Sequence, residues 1–197
     1  SFTFEVARRL PTAVTLASED KSVSLLLQEV FNTQYFRVYS HDDVLGVELG
    51  GSLKNVIAIA SGICDGLDLG HNARASLITR GLAEIERLGV RMGAQKHTFT
   101  GLSGLGDLVL TCTGALSRNY TVGKKLGRGM HLSTILSETK SVAEGVTTAE
   151  SAYELSKRHQ VQMPIVEQVY EVLYREKDPG AAVDDLMTRA LKTEVHA

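Results

Sequence analysis

A single lysine interrupts an otherwise apolar stretch at Gly50-Gly51-Ser52-Leu53-Lys54-Asn55-Val56-Ile57-Ala58. At helical spacing Gly50, Lys54, Ala58, Ser61 or Gly62, and Asp65 share one stripe. Apart from Lys54 and Asp65 these side chains are small. The stripe therefore reads as a groove with an amine in it, where a ligand could approach the backbone. Desolvation makes an amine easier to deprotonate, so a lysine in such a place can act as a base near neutral pH. The plainer reading is a lysine snorkelling from a helix edge, or a small-residue stripe that serves helix packing alone.

Two later stretches could complete such a site. Gly101-Leu102-Ser103-Gly104-Leu105-Gly106-Asp107-Leu108 is glycine-rich and ends in an acid, yet matches neither GxGxxG nor a P-loop. Its backbone could come close to a small ligand, and Asp107 could orient an amine or hydroxyl. Alternatively it is an interhelical loop in which Asp107 caps the next helix. In Gly114-Ala115-Leu116-Ser117-Arg118-Asn119-Tyr120, Ser117 falls at an expected helix N-cap, with Arg118 and Asn119 in the first turn. Free N–H groups, the positive end of the helix dipole and a guanidinium together suit a phosphate monoester. An arginine in a first turn runs against the usual charge preference, which points to a second reason for it. The alternative is a surface arginine beside a routine serine cap.

The elements that would hold these residues change character along the chain. Residues 12–18, after Pro11, form a β-branched run that predicts a strand, and 35–39 predict a second. Between them Asp20 precedes Val23, Leu26, Leu27, Val30 and Phe31, the pattern of a helix with an acidic start. This is one βαβ-sized unit if the strands are parallel. Two strands make no stable sheet alone, so residues 1–45 are assigned to the end of a larger α/β domain. From Gly46 the pattern is helical. Val47, Leu49, Leu53, Val56, Ile57, Ile59, Ile63 and Leu67 make a nearly all-round apolar helix. Asn72 reads as the N-cap of the next, and further helices are predicted over 118–126, 147–158, 164–174 and 183–191. Asp178-Pro179 supplies a cap and a proline for the last. The predicted class is mainly α: an all-α body over 46–197 preceded by a strand–helix–strand unit.

Composition narrows the partners. A chain of 197 residues can bury one substantial core, and a net charge of −2 gives no reason to expect nucleic acid or an anionic membrane surface. Lys124, Lys125 and Arg128 read as a solvated helix face. Cys64 and Cys112 are no disulfide framework and fit a reducing compartment. The six histidines lack metal-ligand spacing, so no metal site is expected. No apolar run approaches the ~20 residues that span a bilayer. The start, Ser1-Phe2-Thr3-Phe4-Glu5, carries no secretory signal and no initiator Met, as if cut from something longer.

With these residues assembled, the chain resembles the NAD(P)-dependent glycerol-3-phosphate dehydrogenases, closely those of bacteria. The resemblance is carried by the Gly50–Gly62 stretch with Asp65-Gly66, Gly70 and Asn72-Ala73-Arg74. Gly104–Thr113 and Ser117-Arg118-Asn119 form a second block, and Val142-Ala143-Glu144-Gly145 a third. It runs from Ser1 to about Leu191. It implies a cytoplasmic, homodimeric oxidoreductase that interconverts sn-glycerol 3-phosphate and dihydroxyacetone phosphate with NAD or NADP and supplies phospholipid synthesis. Residues 46–197 would be its all-α substrate-binding domain and 1–45 the remnant of a Rossmann-type dinucleotide domain. Lys54 would be the general base that takes the C2-hydroxyl proton and returns it in reverse, with Asp107 as its catalytic neighbour. Thr111, Ser117, Arg118, Asn119 and Ser1 would bind substrate beside them; Arg118, Val142, Glu144 and Thr3 would touch the dinucleotide. Thr3 stands where the family usually has alanine. The family's glycine fingerprint and its second substrate lysine are absent from these residues. The chain alone is therefore expected to turn over neither substrate nor cofactor, and NAD versus NADP is undecided. Two other readings stand beside this one: the helical domain of another hydroxy-acid or sugar-phosphate dehydrogenase, and a non-catalytic module for dimerisation.

Overall fold

The computed structural model of the chain describes residues 3–114, 116–138, 143–191 and 193. A short helix α1 (Thr3–Ala7) leads into β1 (Thr12–Ala17), α2 (Lys21–Phe31) and β2 (Phe36–His41). Asp20 starts α2 by accepting the Ser22 and Val23 N–H groups, as its position predicts. The strands pair in parallel, from Thr12 opposite Phe36 to Ala17 opposite His41, and α2 is the crossover that parallel pairing needs. α1 has no counterpart in the sequence reading, because five residues are too few to show a helical period. Leu25, Leu26, Val30 and Phe31 of α2 stay exposed, so this small layer leaves an apolar face uncovered.

The helical body is built around α3 (Val44–Gly66). Asp43 ties down its start: one carboxylate oxygen accepts the Gly46 N–H at 2.9 Å, the other the Gln95 N–H at 2.8 Å and the Thr98 hydroxyl at 2.6 Å. At 23 residues α3 is long and apolar enough to cross a membrane by length and composition, which corrects the expectation that no apolar run comes near that length. Its side chains have protein around them. Leu53, Val56, Ile57, Ile59 and Ile63 are buried beneath α4 (Gly70–Met92), α5 (Asp107–Thr113), α6 (Arg118–Gly127) and α8 (Glu144–His159). The chain turns straight from α3 into α4 because Gly70 takes a φ of +85°, where a glycine has no Cβ to clash. α4 thus begins ahead of the predicted cap Asn72, with Leu69 at the cap position and no side-chain bond.

α7 (Leu132–Glu138), α9 (Pro164–Tyr174) and α10 (Pro179–Met187) complete the body. α7 was not foreseen, and α10 starts at its proline and ends short of the predicted Leu191. Asp178 caps α10 through the Ala181 N–H, as expected. α9 is capped from a distance: the carboxylate of Glu84 in α4 accepts the Ile165 N–H at 2.8 Å and the Val166 N–H at 3.2 Å. Burial of that carboxyl pushes it from 4.5 up to about 7, against the two N–H groups that favour its charge. A folded-state value above the unfolded one means that the folded chain keeps this proton longer. The stability linked to it is full below about 4.5 and is lost as pH rises through about 7. Wild type is therefore expected to lose stability relative to Glu84→Gln across that window, by about 3 kcal/mol at most. Paired urea melts read the difference, and a pH-independent one would refute the buried titration.

Candidate active site

Three elements bring the sequence-selected residues to one cleft of about 330 Å³. α3 contributes Gly51, Lys54 and Asn55; α5 contributes Asp107, Leu110 and Thr111; the start of α6 contributes Ser117, Arg118 and Asn119. Glu144, the first residue of α8, and Glu5 of α1 also line it. The Lys54 amine is paired with the Asp107 carboxylate, and the two side chains are 17% and 23% exposed. They are sheltered, yet open to a ligand from the cleft.

Asp107 is neither in a loop nor a cap. Leu102–Gly106 forms a turn of π-helix, Gly106 stands at the cap position, and Asp107 opens α5 with its side chain turned to Lys54. The glycines allow this turn to lie flat on its neighbours: Gly104 packs on the backbone of Phe99 and Gly50 on that of Ser103. Thr111, one turn along α5, donates to the Asp107 carbonyl at 2.6 Å, with Asp107 Oδ1 at 3.4 Å. Its hydroxyl thus braces the residue that braces the lysine.

Ser117 caps α6 by accepting the Tyr120 N–H at 3.3 Å. The second reason for an arginine in that first turn is Glu144, 3.4 Å from the guanidinium. With the two side chains 51% and 63% exposed, this pair contributes little to the fold and can open for a ligand. Asn119 lines the same cleft but is buried, and its amide is committed inward, to Asn55 and to the Gly145 N–H, each at 2.9 Å.

The small-residue stripe is a groove over only part of its length. Ala58 and Ser61 are buried, and the Ser61 hydroxyl donates to the Cys112 carbonyl at 2.9 Å. Gly62 meets the backbone of Tyr120, and Asp65 is held by Arg74 and the Tyr120 hydroxyl. Packing therefore claims Gly50 and the stripe beyond Lys54; of the stripe Lys54 alone lines the cleft, with Gly51 and Asn55 of the same helix beside it. Burial pushes the Cys112 thiol up to about 12, so it is no nucleophile. Thr3 is exposed on α1 and is not among the lining residues; Glu5 is. Ser1 and Val142 lie outside the described residues. Asn55 and Glu5 were missed: Asn55 follows the lysine around a helix turned partly inward, and Glu5 sits in a helix too short for periodicity.

Fold and cleft together define a helical domain with an amine–carboxylate pair on the wall of an open cleft. Residues 43–184 match the family described as NAD-dependent glycerol-3-phosphate dehydrogenase C-terminus, and the chain belongs to that family. It is 62% identical over 194 residues to the glycerol-3-phosphate dehydrogenase (NAD(P)+) of Geobacter sulfurreducens, covering 98% of this chain and 58% of that protein. The enzyme of the same name from Syntrophotalea carbinolica is 60% identical over 195 residues, with 99% and 59% covered. Among solved structures, glycerol-3-phosphate dehydrogenase from Coxiella burnetii superposes with a TM-score of 0.91 at 48% identity, covering 94% of this chain and 57% of that one. The chain spans a little under three-fifths of the length of these relatives.

Proposed function

We propose that this chain is the substrate-binding and catalytic part of an enzyme interconverting sn-glycerol 3-phosphate and dihydroxyacetone phosphate with NAD or NADP. The observation that carries the reading is the Lys54–Asp107 pair in one cleft with the Ser117–Arg118 tip of α6; the names of the relatives supply the substrate. In this reading residues 46–197 are the substrate domain and 1–45 the end of a dinucleotide domain. The uncovered apolar face of α2 supports that division, since the remainder of such a sheet would bury it. A cytoplasmic homodimer serving phospholipid synthesis goes with the same reading.

The nicotinamide end of the cofactor would enter this cleft beside Gly51. Gly51 lines it with nothing within 4 Å of where a Cβ would stand, and Arg118 and Glu144 would hold the polar part of the dinucleotide. When bound, that group would supply the acceptor for the C2 hydride of glycerol 3-phosphate, or the donor for the reverse reaction. Lys54 takes the C2-hydroxyl proton as the carbonyl forms, and Asp107 stabilises the ammonium that results. In the reducing direction the same ammonium gives its proton to the developing alkoxide. Thr111 positions Asp107 through the backbone. The N-terminus of α6 and Arg118 attract the phosphate, once Arg118 has left its exposed partner Glu144.

Isothermal titration of glycerol 3-phosphate into a protein that includes the dinucleotide-binding part tests this. Arg118→Ala is expected to weaken binding about tenfold to a hundredfold, the worth of one charge-assisted hydrogen bond. Unchanged affinity would take the helix tip out of the site.

A further inference from the structure

Among the described residues five charged side chains line the cleft: Glu5, Lys54, Asp107, Arg118 and Glu144. Four of them cancel in pairs, Lys54 with Asp107 and Arg118 with Glu144. Glu5 is left over. Among the described residues its carboxylate makes no ion pair and no side-chain hydrogen bond.

The place of Glu5 is fixed through its backbone, which anchors the turn out of α1. Its carbonyl accepts the Arg8 N–H at 3.1 Å and the Leu10 N–H at 3.0 Å. Arg9 takes a φ of 59° in this turn, and β1 begins two residues after Leu10. Backbone bonds thus bring the residue to the cleft, and the exposed side chain is free to meet a ligand.

A surplus negative charge is an odd feature in a cleft that attracts a phosphate. At about 330 Å³ a near-round cleft is about as wide as one Debye length at physiological salt, ~8 Å, so Glu5 acts on every part of a ligand inside it. In the proposed reaction the phosphate goes to the tip of α6 and the C2 oxygen to Lys54. The C1 hydroxyl is then the polar group of the ligand without a partner on this chain, and Glu5 is the charged lining group without one. A hydroxyl can donate to a carboxylate. An ionised acid or a second phosphate at C1 cannot, and like charge repels it.

We propose that Glu5 is a specificity-determining residue of the cleft, which accepts the C1 hydroxyl of the ligand and rejects ligands with an anionic group in its place. The proposal rests on the cleft being the substrate site. It sets a glycerol phosphate apart from a phosphorylated 2-hydroxy acid of the same length, whose carboxylate would need a cation where Glu5 stands.

Isothermal titration of the full-length enzyme with glycerol 3-phosphate, and with 3-phosphoglycerate in both configurations, tests this. Wild type is expected to favour glycerol 3-phosphate about a hundredfold or more. Glu5→Gln is expected to narrow that preference about tenfold, and by less at high salt, where the repulsion is screened. Glu5→Asp keeps the charge and is expected to hold the preference within about threefold of wild type. Glu5 is exposed on a helix of five residues, so both variants are expected to fold. A purely structural role would weaken both ligands alike and leave their ratio in place. An unchanged ratio in Glu5→Gln, as when the carboxylate serves a basic group of the dinucleotide-binding part, overturns the proposal and leaves the substrate reading intact. Equal narrowing in Glu5→Asp and Glu5→Gln also overturns it, since charge would not then be the cause. A wild type that binds no glycerol 3-phosphate overturns the reading and the proposal together.

Discussion

Lys54→Ala in the full-length enzyme is expected to lower kcat about a hundredfold or more, with the smaller share of the loss in KM. The lysine is the amine on the cleft wall that is paired with a carboxylate, so its removal takes away the proposed acceptor of the C2 proton. Removing it leaves Asp107 without its partner. At 23% exposure that carboxylate can be hydrated, so the fold is expected to survive and thermal melting should show it. Steady-state kinetics in both directions make the test. Turnover within a few-fold of wild type would remove Lys54 from proton transfer.

What the sequence disclosed depended on how local the signal was. The cap of α6 was legible because Ser117, Arg118 and Asn119 are consecutive and a helix start needs only a few residues. Asp20 and Asp178 were legible for the same reason. The partnership of Lys54 with Asp107 was not, since α5 must fold across α3 to create it; only the family resemblance linked them. Glu84 as the cap of α9 is equally non-local. The small-residue stripe carried a real signal with two meanings. Small residues at helical spacing leave space, and a ligand or another helix can fill it. Gly123 and Gly127 in α6 repeat with the same period and lie against the backbone of Ile59 and Ile63, so the sequence did contain the matching half of a helix crossing. Asn119 carries both meanings: it lines the cleft, as its place beside Ser117 and Arg118 suggested, and its amide also bonds Asn55 and the Gly145 N–H.

That crossing also sets where the helix tip stands relative to the amine, and one methyl group can test it. Gly123→Ala is expected to destabilise the fold by about 3 kcal/mol or more, a fall in Tm of roughly 6–12 °C. The new Cβ would press on the Ile59 carbonyl, a backbone atom in the middle of the buried central helix that cannot swing aside as a side chain can. Gly62, one turn further along α3, meets the Tyr120 carbonyl across the same interface, so α6 cannot escape by sliding without opening that contact as well. Gly51→Ala makes the same chemical change within α3 where nothing stands within 4 Å. There the helix should gain about 0.5–1 kcal/mol from reduced backbone freedom, while the methyl enters the cleft. Opposite signs in thermal melts of the two variants would distinguish a glycine required by packing from one that leaves room for a ligand. An unchanged Tm for Gly123→Ala would mean that α6 shifts on α3 at no cost, and the position of Arg118 relative to Lys54 could not then be set by this crossing.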